Sequence, residues 1–261
     1  MKVIVITGAT SGIGAVTAKF LVDQGHIVYG LSRSFKENDS VTYLSCDVTN
    51  RIQVKDAISH IINIEGRIDV IINNAGMGIS GALEFNNSND INNIIGVNIK
   101  GIVNIVQATL PFLRETKGKI INIGSVASII PIPFQSFYSI TKSGVLMLSQ
   151  TLAMEVKPFG IKVTCVLPGD TKTEFTKNRK KEILGDDIYQ GRIDKSVSKM
   201  EKDELKGTEP LKVSQVINKI IKKKNPKVIK VVGFNYKMLL FLYKILPSRL
   251  AFWVLYKLYA K

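Results

Sequence analysis

The 261-residue sequence predicts an α/β fold: a doubly wound, seven-stranded parallel sheet with helices on both faces. Three observations predict it. Short β-branched runs alternate with longer stretches of helical periodicity through the first 170 residues, the pattern of strand–helix–strand units. The strand runs are nearly all apolar, as a sheet covered on both faces requires. The first run passes directly into a glycine-rich turn and a helix start, "TGATSGIG" (7–14), which makes an anion site at the opening of the first unit. Hydrophobic residues make up 45% of the chain and charged residues 22%, enough apolar material for one globular domain with a sizeable core.

The strands are "KVIVIT" (2–7), "IVYGLS" (27–32), "VTYLSC" (41–46), "DVIINN" (69–74), "KIINIG" (119–124), "IKVTCVL" (161–167) and "KVIKVVG" (227–233). Helical periodicity covers 13–24, 51–64, 89–114, 137–157 and 213–224. Between the second and third strands stands only "RSFKENDS", Arg33 to Ser40, which is too short for a crossover helix and reads as a loop or single turn. Residues 175–209 are polar, with weak helical periodicity. A connection that long should be functional or mobile, and it is a candidate substrate lid. One domain therefore spans 1–234, and 235–261 is a basic amphipathic C-terminal extension. Pro247 splits that extension into two pieces. Its longest uncharged runs are six and seven residues, well short of the roughly 20 that cross a bilayer.

Charge is unevenly placed. Residues 1–175 hold 15 basic and 13 acidic side chains, whereas residues 176–261 hold 21 and 8. The basic third suggests an acidic partner, an anionic membrane surface or nucleic acid, or else a merely solvated tail. No nucleic-acid reader motif is present and acidic residues interrupt the charge, so nucleic acid is not expected as a partner. Cys46 and Cys165 lie in apolar runs without metal or redox spacing and read as buried thiols of a reducing, cytoplasmic compartment. His26 and His60 have no partners at ligand spacing, so no metal site is expected. The chain starts directly on a strand pattern, with no secretory signal.

In the glycine turn, Gly8 would permit the tight bend, Gly12 the approach of a pyrophosphate, and Gly14 close packing of helix on sheet. At the end of the second strand, an NAD site favours a carboxylate for the ribose 2′-hydroxyl. Here Ser32 and Arg33 stand instead. A carboxylate would repel a 2′-phosphate and an arginine can grip it, so NADP, with NADPH over NADH, is the expected cofactor.

These pieces together resemble the short-chain dehydrogenases/reductases, over about residues 2–175 and more weakly to 233. "TGATSGIG" looks like the family's cofactor loop, contributing Thr10, Ser11 and Ile13 besides its glycines. "CDVT" places Asp47 and Val48 where the family meets the adenine ring. "NNAG" supplies Asn74, Ala75 and Gly76, and "PGDTKT" supplies Pro168, Gly169, Thr171 and Thr173. "GVNIKG" supplies Asn98, "GSVAS" Ser125, and "YSITK" Tyr138 and Lys142. The resemblance implies a Rossmann-like fold and hydride transfer between nicotinamide and a carbonyl/alcohol pair. Tyr138 is implied as general acid or base, Ser125 as holder of the substrate oxygen, Lys142 as ligand of the nicotinamide ribose, and Asn98 as anchor of a relay water. Tyr138 and Lys142 share a helix face. The lysine charge, with an oxidised nicotinamide, is expected to lower the tyrosine pKa from its reference of about 10. A homo-oligomer, dimer or tetramer, through helices 89–114 and 137–157 is also implied.

The apolar stretch "VASIIPIPFQSF" (126–137), between Ser125 and Tyr138, suggests a lipophilic ketone or aldehyde of steroid, retinoid or acyl-lipid type, unless it packs on the core or a subunit. Lys237, Lys244, Arg249, Lys257 and Lys261 interleave with Trp253, Tyr256 and Tyr259 in the tail. That tail can lie on an anionic membrane, cover the pocket or pack on another subunit. The alternative function is a non-catalytic nucleotide sensor or membrane adaptor. It has no need of the complete Asn98, Ser125, Tyr138 and Lys142 set.

Overall fold

The computed structural model describes residues 1–34 and 41–259. The loop expected at Arg33–Ser40 therefore lies mostly outside the described residues. Strands β1 (Val3–Thr7), β2 (Ile27–Ser32), β3 (Thr42–Ser45), β4 (Val70–Asn73), β6 (Lys119–Ile123), β7 (Lys162–Leu167) and β9 (Ile229–Val231) form one parallel sheet in the order β3-β2-β1-β4-β6-β7-β9. A separate two-stranded pair joins β5 (Ile79–Ser80) to β8 (Lys180–Lys181). The seven runs read from the sequence are the seven strands of the main sheet.

Both faces are covered, and β1 shows why its run is unbroken. Val3 and Val5 enter one core with Ile58, Ile61, Ile105 and Leu113 from helices α2 (Arg51–Glu65) and α4 (Gly101–Thr116). Ile4 and Ile6 enter the other with Leu21 and Ile217 from α1 (Gly12–Asp23) and α8 (Pro210–Lys222). Alternate residues serve opposite cores, so every position must be apolar. Cys46 and Cys165 are both buried and free. Asn50 caps α2 by accepting from the Ile52 and Gln53 N–H groups, and Gly66 ends it at φ 66°. Lys119 Nζ donates to the Ile220 and Lys223 carbonyls at the end of α8.

The long helix expected over 89–114 is interrupted. α3 (Ser88–Ile95) and α4 flank a π-helical turn, Gly96–Lys100. The whole run Ser88–Thr116 is long and apolar enough to cross a membrane, but its Ile94, Ile102, Ile105 and Leu113 are buried in this chain, as in a core helix. α5 (Ser136–Glu155) follows β6.

Residues 175–209 hold more structure than their weak periodicity suggested. They contain α6 (Phe175–Asn178), β8 and the 14-residue α7 (Arg192–Leu205). α7 is held by Ile193, Val197 and Met200, spaced four and three apart on one buried face. The tail forms α9 (Phe234–Ile245) and α10 (Ser248–Tyr259), broken at Pro247 as expected.

Asp69 ties down the start of β1. Its carboxylate accepts from Val3 N–H at 2.9 Å and from Arg67 at 2.6 and 3.1 Å, and it is 3% exposed. Burial pushes this carboxyl up, but Arg67, the Val3 N–H and Lys2 outweigh burial and hold it below its ordinary value. A depressed folded-state pKa stabilises above the unfolded value and is lost as pH falls through the folded one. Asp69→Ala is expected to cost about 3 kcal/mol at pH 7. In urea denaturation series that deficit should shrink below about pH 4.

Candidate active site

The sheet splits where β1 and β4 diverge at their carboxyl ends, because chain order reverses there. Thr7 and Asn74 hold that point. Thr7 Oγ1 accepts from the Asn74 and Ala75 N–H groups at 3.0 Å each, and Asn74 Nδ2 donates to the Thr7 and Gly8 carbonyls at 3.1 and 3.0 Å. A cavity of about 1130 Å³ opens above it. Of the residues singled out from the sequence, Gly8, Thr10, Ser11, Gly12, Ile13, Ser32, Arg33, Asp47, Val48, Asn74, Ala75, Gly76, Ser125, Tyr138, Lys142, Pro168, Gly169, Thr171 and Thr173 all line it. Gly14 and Asn98 do not. Gly14 lies beneath, where an added Cβ would fall 2.2 Å from the Gly8 carbonyl oxygen.

A dinucleotide fits one end of this cavity. The N-cap of α1, Ser11, makes no side-chain cap and the first turn holds no acid, so its N–H groups face the cavity unclaimed. Gly8 turns at φ +64° and Gly12 at +53°, and a Cβ on Gly12 would press on Thr173 at 3.2 Å. The buried Ser32 hydroxyl accepts from Thr10 at 3.3 Å, and Arg33 stands exposed at the rim. Asp47 also serves as a turn residue, accepting from the Thr49 N–H and hydroxyl at 2.8 and 2.7 Å.

The polar centre lies between β6 and α5. Ser125 follows β6 and caps a short 3-10 turn, accepting from Ala127 N–H at 3.1 Å. Ser128 in that turn donates to the Lys142 carbonyl at 2.8 Å, and Ser143 donates back to the Ser128 carbonyl at 3.0 Å. Deeper, Asn73 bonds Asn122, which bonds Ser149 of α5, each at 2.8 Å. These bonds fix Tyr138 and Lys142 of α5 against Ser125. Sequence reading missed Thr7, Asn122 and Ser149, whose polarity inside apolar runs was the available signal.

Asn98 owes its place to the π turn. Its Oδ1 accepts from Met77 N–H at 2.9 Å, and its Nδ2 donates to the Met77 carbonyl and to Thr141, both at 3.0 Å. It thus anchors the Gly76–Met77 loop to α5. An added Cβ on Gly76 would meet Asn98 Oδ1 at 3.4 Å and Lys142 Nζ at 3.6 Å, so the two side chains share that spot.

The protein's own groups do not supply the acidification of Tyr138 expected from Lys142 together with an oxidised nicotinamide. Burial pushes the phenol up to about 12, against a Ser125 hydrogen bond and the positive charge of Arg179, with Glu204 and Asp170 adding to the rise. Lys142 is 6% exposed and donates to the Ile123 carbonyl at 2.9 Å, while its Nζ is 5.7 Å from the Tyr138 ring centre. Burial pushes the amine down to about 8. Spacing put the two on one helix face, but desolvation decides both shifts. The result is a phenol held protonated at neutral pH.

Beyond Tyr138 the cavity is lined by apolar side chains with a few acidic and phenolic ones among them. Ile130, Pro131 and Ile132 of the 126–137 stretch line it, whereas Phe134 packs edge-on against Tyr189, 5.6 Å away, and Ile129 is exposed. The 175–209 segment adds Phe175, Met200, Asp203 and Glu204, and the tail adds Tyr236, Leu239, Leu255, Leu258 and Tyr259. Tyr236 donates to Asp170 Oδ2 at 2.7 Å and accepts from its N–H at 2.9 Å. Of the three placements left open for the tail, its inner side therefore covers the pocket.

Lys142→Met is expected to stabilise the coenzyme-free protein by about 2 kcal/mol at pH 7, because it removes the buried charge at the loss of one hydrogen bond. The amine's folded pKa of about 8 lies below the unfolded 10.5, so wild-type stability should rise between those values and the variant's advantage should fade. Thermal unfolding from pH 7 to 10.5 checks both.

A family model described as short chain dehydrogenase matches residues 2–184. The chain is 47% identical over 229 residues to a 3-ketodihydrosphingosine reductase of Bacteroides thetaiotaomicron, covering 86% of this chain and 85% of that one. Among solved structures, a short-chain dehydrogenase from Streptomyces avermitilis superposes with a TM-score of 0.86 at 26% identity, over 98% of this chain and 96% of the other. ElxO with NADP bound gives 0.74 at 26%, over 91% and 100%. With the cradle, the serine, the tyrosine and the lysine in one cavity, this chain belongs to the short-chain dehydrogenase/reductase family, oxidoreductases that interconvert alcohols and carbonyl compounds.

Proposed function

We propose that the protein is an NADPH-dependent reductase of a long-chain lipid ketone, of the 3-ketodihydrosphingosine kind. The carrying observation is the single cavity that joins the nucleotide cradle, through Ser125 and Tyr138, to a largely apolar compartment roofed by Leu239, Leu255 and Leu258, with Asp203 and Glu204 in its wall. An aliphatic chain suits those walls, and a ketone held at Ser125 would reach the protonated Tyr138. The similarity to the 3-ketodihydrosphingosine reductase supports the same substrate class.

Nicotinamide, when bound, supplies the hydride. The protein's part is orientation and proton transfer. The Ser125 hydroxyl would hold the ketone oxygen, and Tyr138, which carries its proton at neutral pH, would give that proton to it. Lys142 stands beside Gly76 and Asn98, where its ammonium can bind ribose hydroxyls and offset charge left on the phenol. Arg33 is the candidate grip on a 2′-phosphate, with Ser32 beside it.

Following reduced-nicotinamide absorbance with 3-ketodihydrosphingosine tests this reading. Tyr138→Phe should lower kcat about a thousandfold with NADPH still bound. Turnover surviving that change would remove Tyr138 as proton donor. Arg33→Ala should weaken NADPH about tenfold and leave NADH nearly unchanged. Equal losses would discard the phosphate contact.

Ile140, Met147 and Met154 stand exposed at seven-residue intervals along α5. That stripe supports pairing of two subunits through α4 and α5. Sedimentation equilibrium should give twice the 28.9 kDa chain mass, and a monomer at micromolar concentration would dismiss the pairing.

A further inference from the structure

The roof of the cavity is a single layer of helix, apolar on both sides. Tyr236, Leu239, Leu255, Leu258 and Tyr259 face inward. Outward, none of the twelve residues of α9 is fully buried, and α10 buries Ala251 alone. Phe241 is 59% exposed, Ile245 60%, Phe252 54% and Trp253 58%. A helix apolar around its circumference is at home when covered on all sides. This one is covered by the protein on one side only, and a contiguous apolar patch of this kind marks an interaction surface.

Charge identifies what covers the other side. Residues 234–261 contain five Lys or Arg and no Asp or Glu. The positive surface extends beyond α9. Burial, together with Lys237, Lys223, Lys227 and Lys219, presses Lys230 below the ordinary lysine value, so these amines crowd one another. A second copy of the chain docking here about a two-fold axis would set equal positive faces together. An anionic bilayer offers the opposite charge to the lysines and an apolar medium to the rings. Trp253 and Tyr256 are side chains of the type that settle at headgroup depth.

We propose that α9 and α10 form a docking face for an anionic lipid bilayer, which places the roof of the substrate cavity on the membrane side of the protein. This rests on the lipid-ketone reading for the identity of what passes the roof, but not for the docking itself. The root of the roof stays fixed to the body through Tyr236 and Asp170. Its far end is held by Tyr259, which packs with Met200 and under Lys199, whose Nζ is 5.5 Å from the ring.

Trp253 is the chain's one tryptophan, so the unaltered protein carries its own reporter. Titration with phosphatidylcholine vesicles containing phosphatidylserine should shift its emission to the blue and carry the protein up in a flotation gradient. Vesicles of phosphatidylcholine alone should do so far less, and added salt should reverse the binding. Lys237→Gln with Lys244→Gln should weaken partitioning about thirtyfold. Phe241→Ser with Phe252→Ser should abolish the blue shift. Absence of binding to the anionic vesicles would overturn the proposal, as would indifference to both pairs of substitutions. A blue shift that followed protein concentration without lipid would assign the face to a second copy and overturn it equally. Both variants should still reduce a short, water-soluble ketone with NADPH. Vesicle binding by a protein that reduces no ketone would sink the reductase reading and leave the docking face standing.

Discussion

Four hydrogen bonds between Thr7 and Asn74–Ala75, with the Gly8 carbonyl, govern the rest of the molecule. β1 and β4 pair in register from Ile4 to Ile6, and at Thr7 the main-chain ladder gives way to these side-chain bonds. The backbone amides of Asn74 and Ala75 are satisfied without continuing the sheet, so the crevice opens without leaving either of them unpaired. Gly14 then fits beneath Gly8 because it lacks a Cβ, and α1 aims its uncapped amides across the gap. On the other wall, Asn73, Asn122 and Ser149 carry a buried polar line from β4 through β6 to α5. The glycine turn and the Ser125–Tyr138–Lys142 cluster are thereby held in one frame.

The same frame keeps two groups in unfavourable protonation environments. Lys142 is a buried amine that donates to the Ile123 carbonyl, and Tyr138 is a half-buried phenol with its proton retained. A packed core would do better with neither. Such sites are stability given up for function, and the coenzyme end of the cavity faces both of them.

Most of this frame was legible in the residues. A strand buried on both faces is apolar on both sides, which is why β1, β4, β6 and β7 stood out as mostly apolar, β-branched runs, interrupted by Thr7, Asn73 and Asn122 where the site is built. The cradle was legible because its glycines carry steric demands that no other residue meets. What escaped was set by contacts distant in sequence. The π turn at Gly96–Lys100 exists beside a bond from Asn98 to Met77, which local periodicity does not reveal. α7 buries only Ile193, Val197 and Met200 of its apolar residues among many charges, so its face was easily taken for weak periodicity. The direction of the Tyr138 shift depends on burial, and the four-residue spacing to Lys142 carries no information about that.

The roof was half legible. Its amphipathic halves and the break at Pro247 are local properties, but its seat over the cavity depends on Tyr236 meeting Asp170, 66 positions earlier. That seat gives the exposed apolar surface a physical reason. Each methylene of an alkyl chain costs about 0.8 kcal/mol to place in water. A dozen of them cost about 10 kcal/mol, which would make passage through solvent very slow. A cavity roofed by helices that themselves rest in lipid replaces that route with a transfer between two apolar media. The basic side chains fit the same logic, because on an anionic surface they would hold the roof in place without a segment that spans it. On this argument, the outward face of α9 and α10 is as much a part of substrate capture as the leucines beneath it.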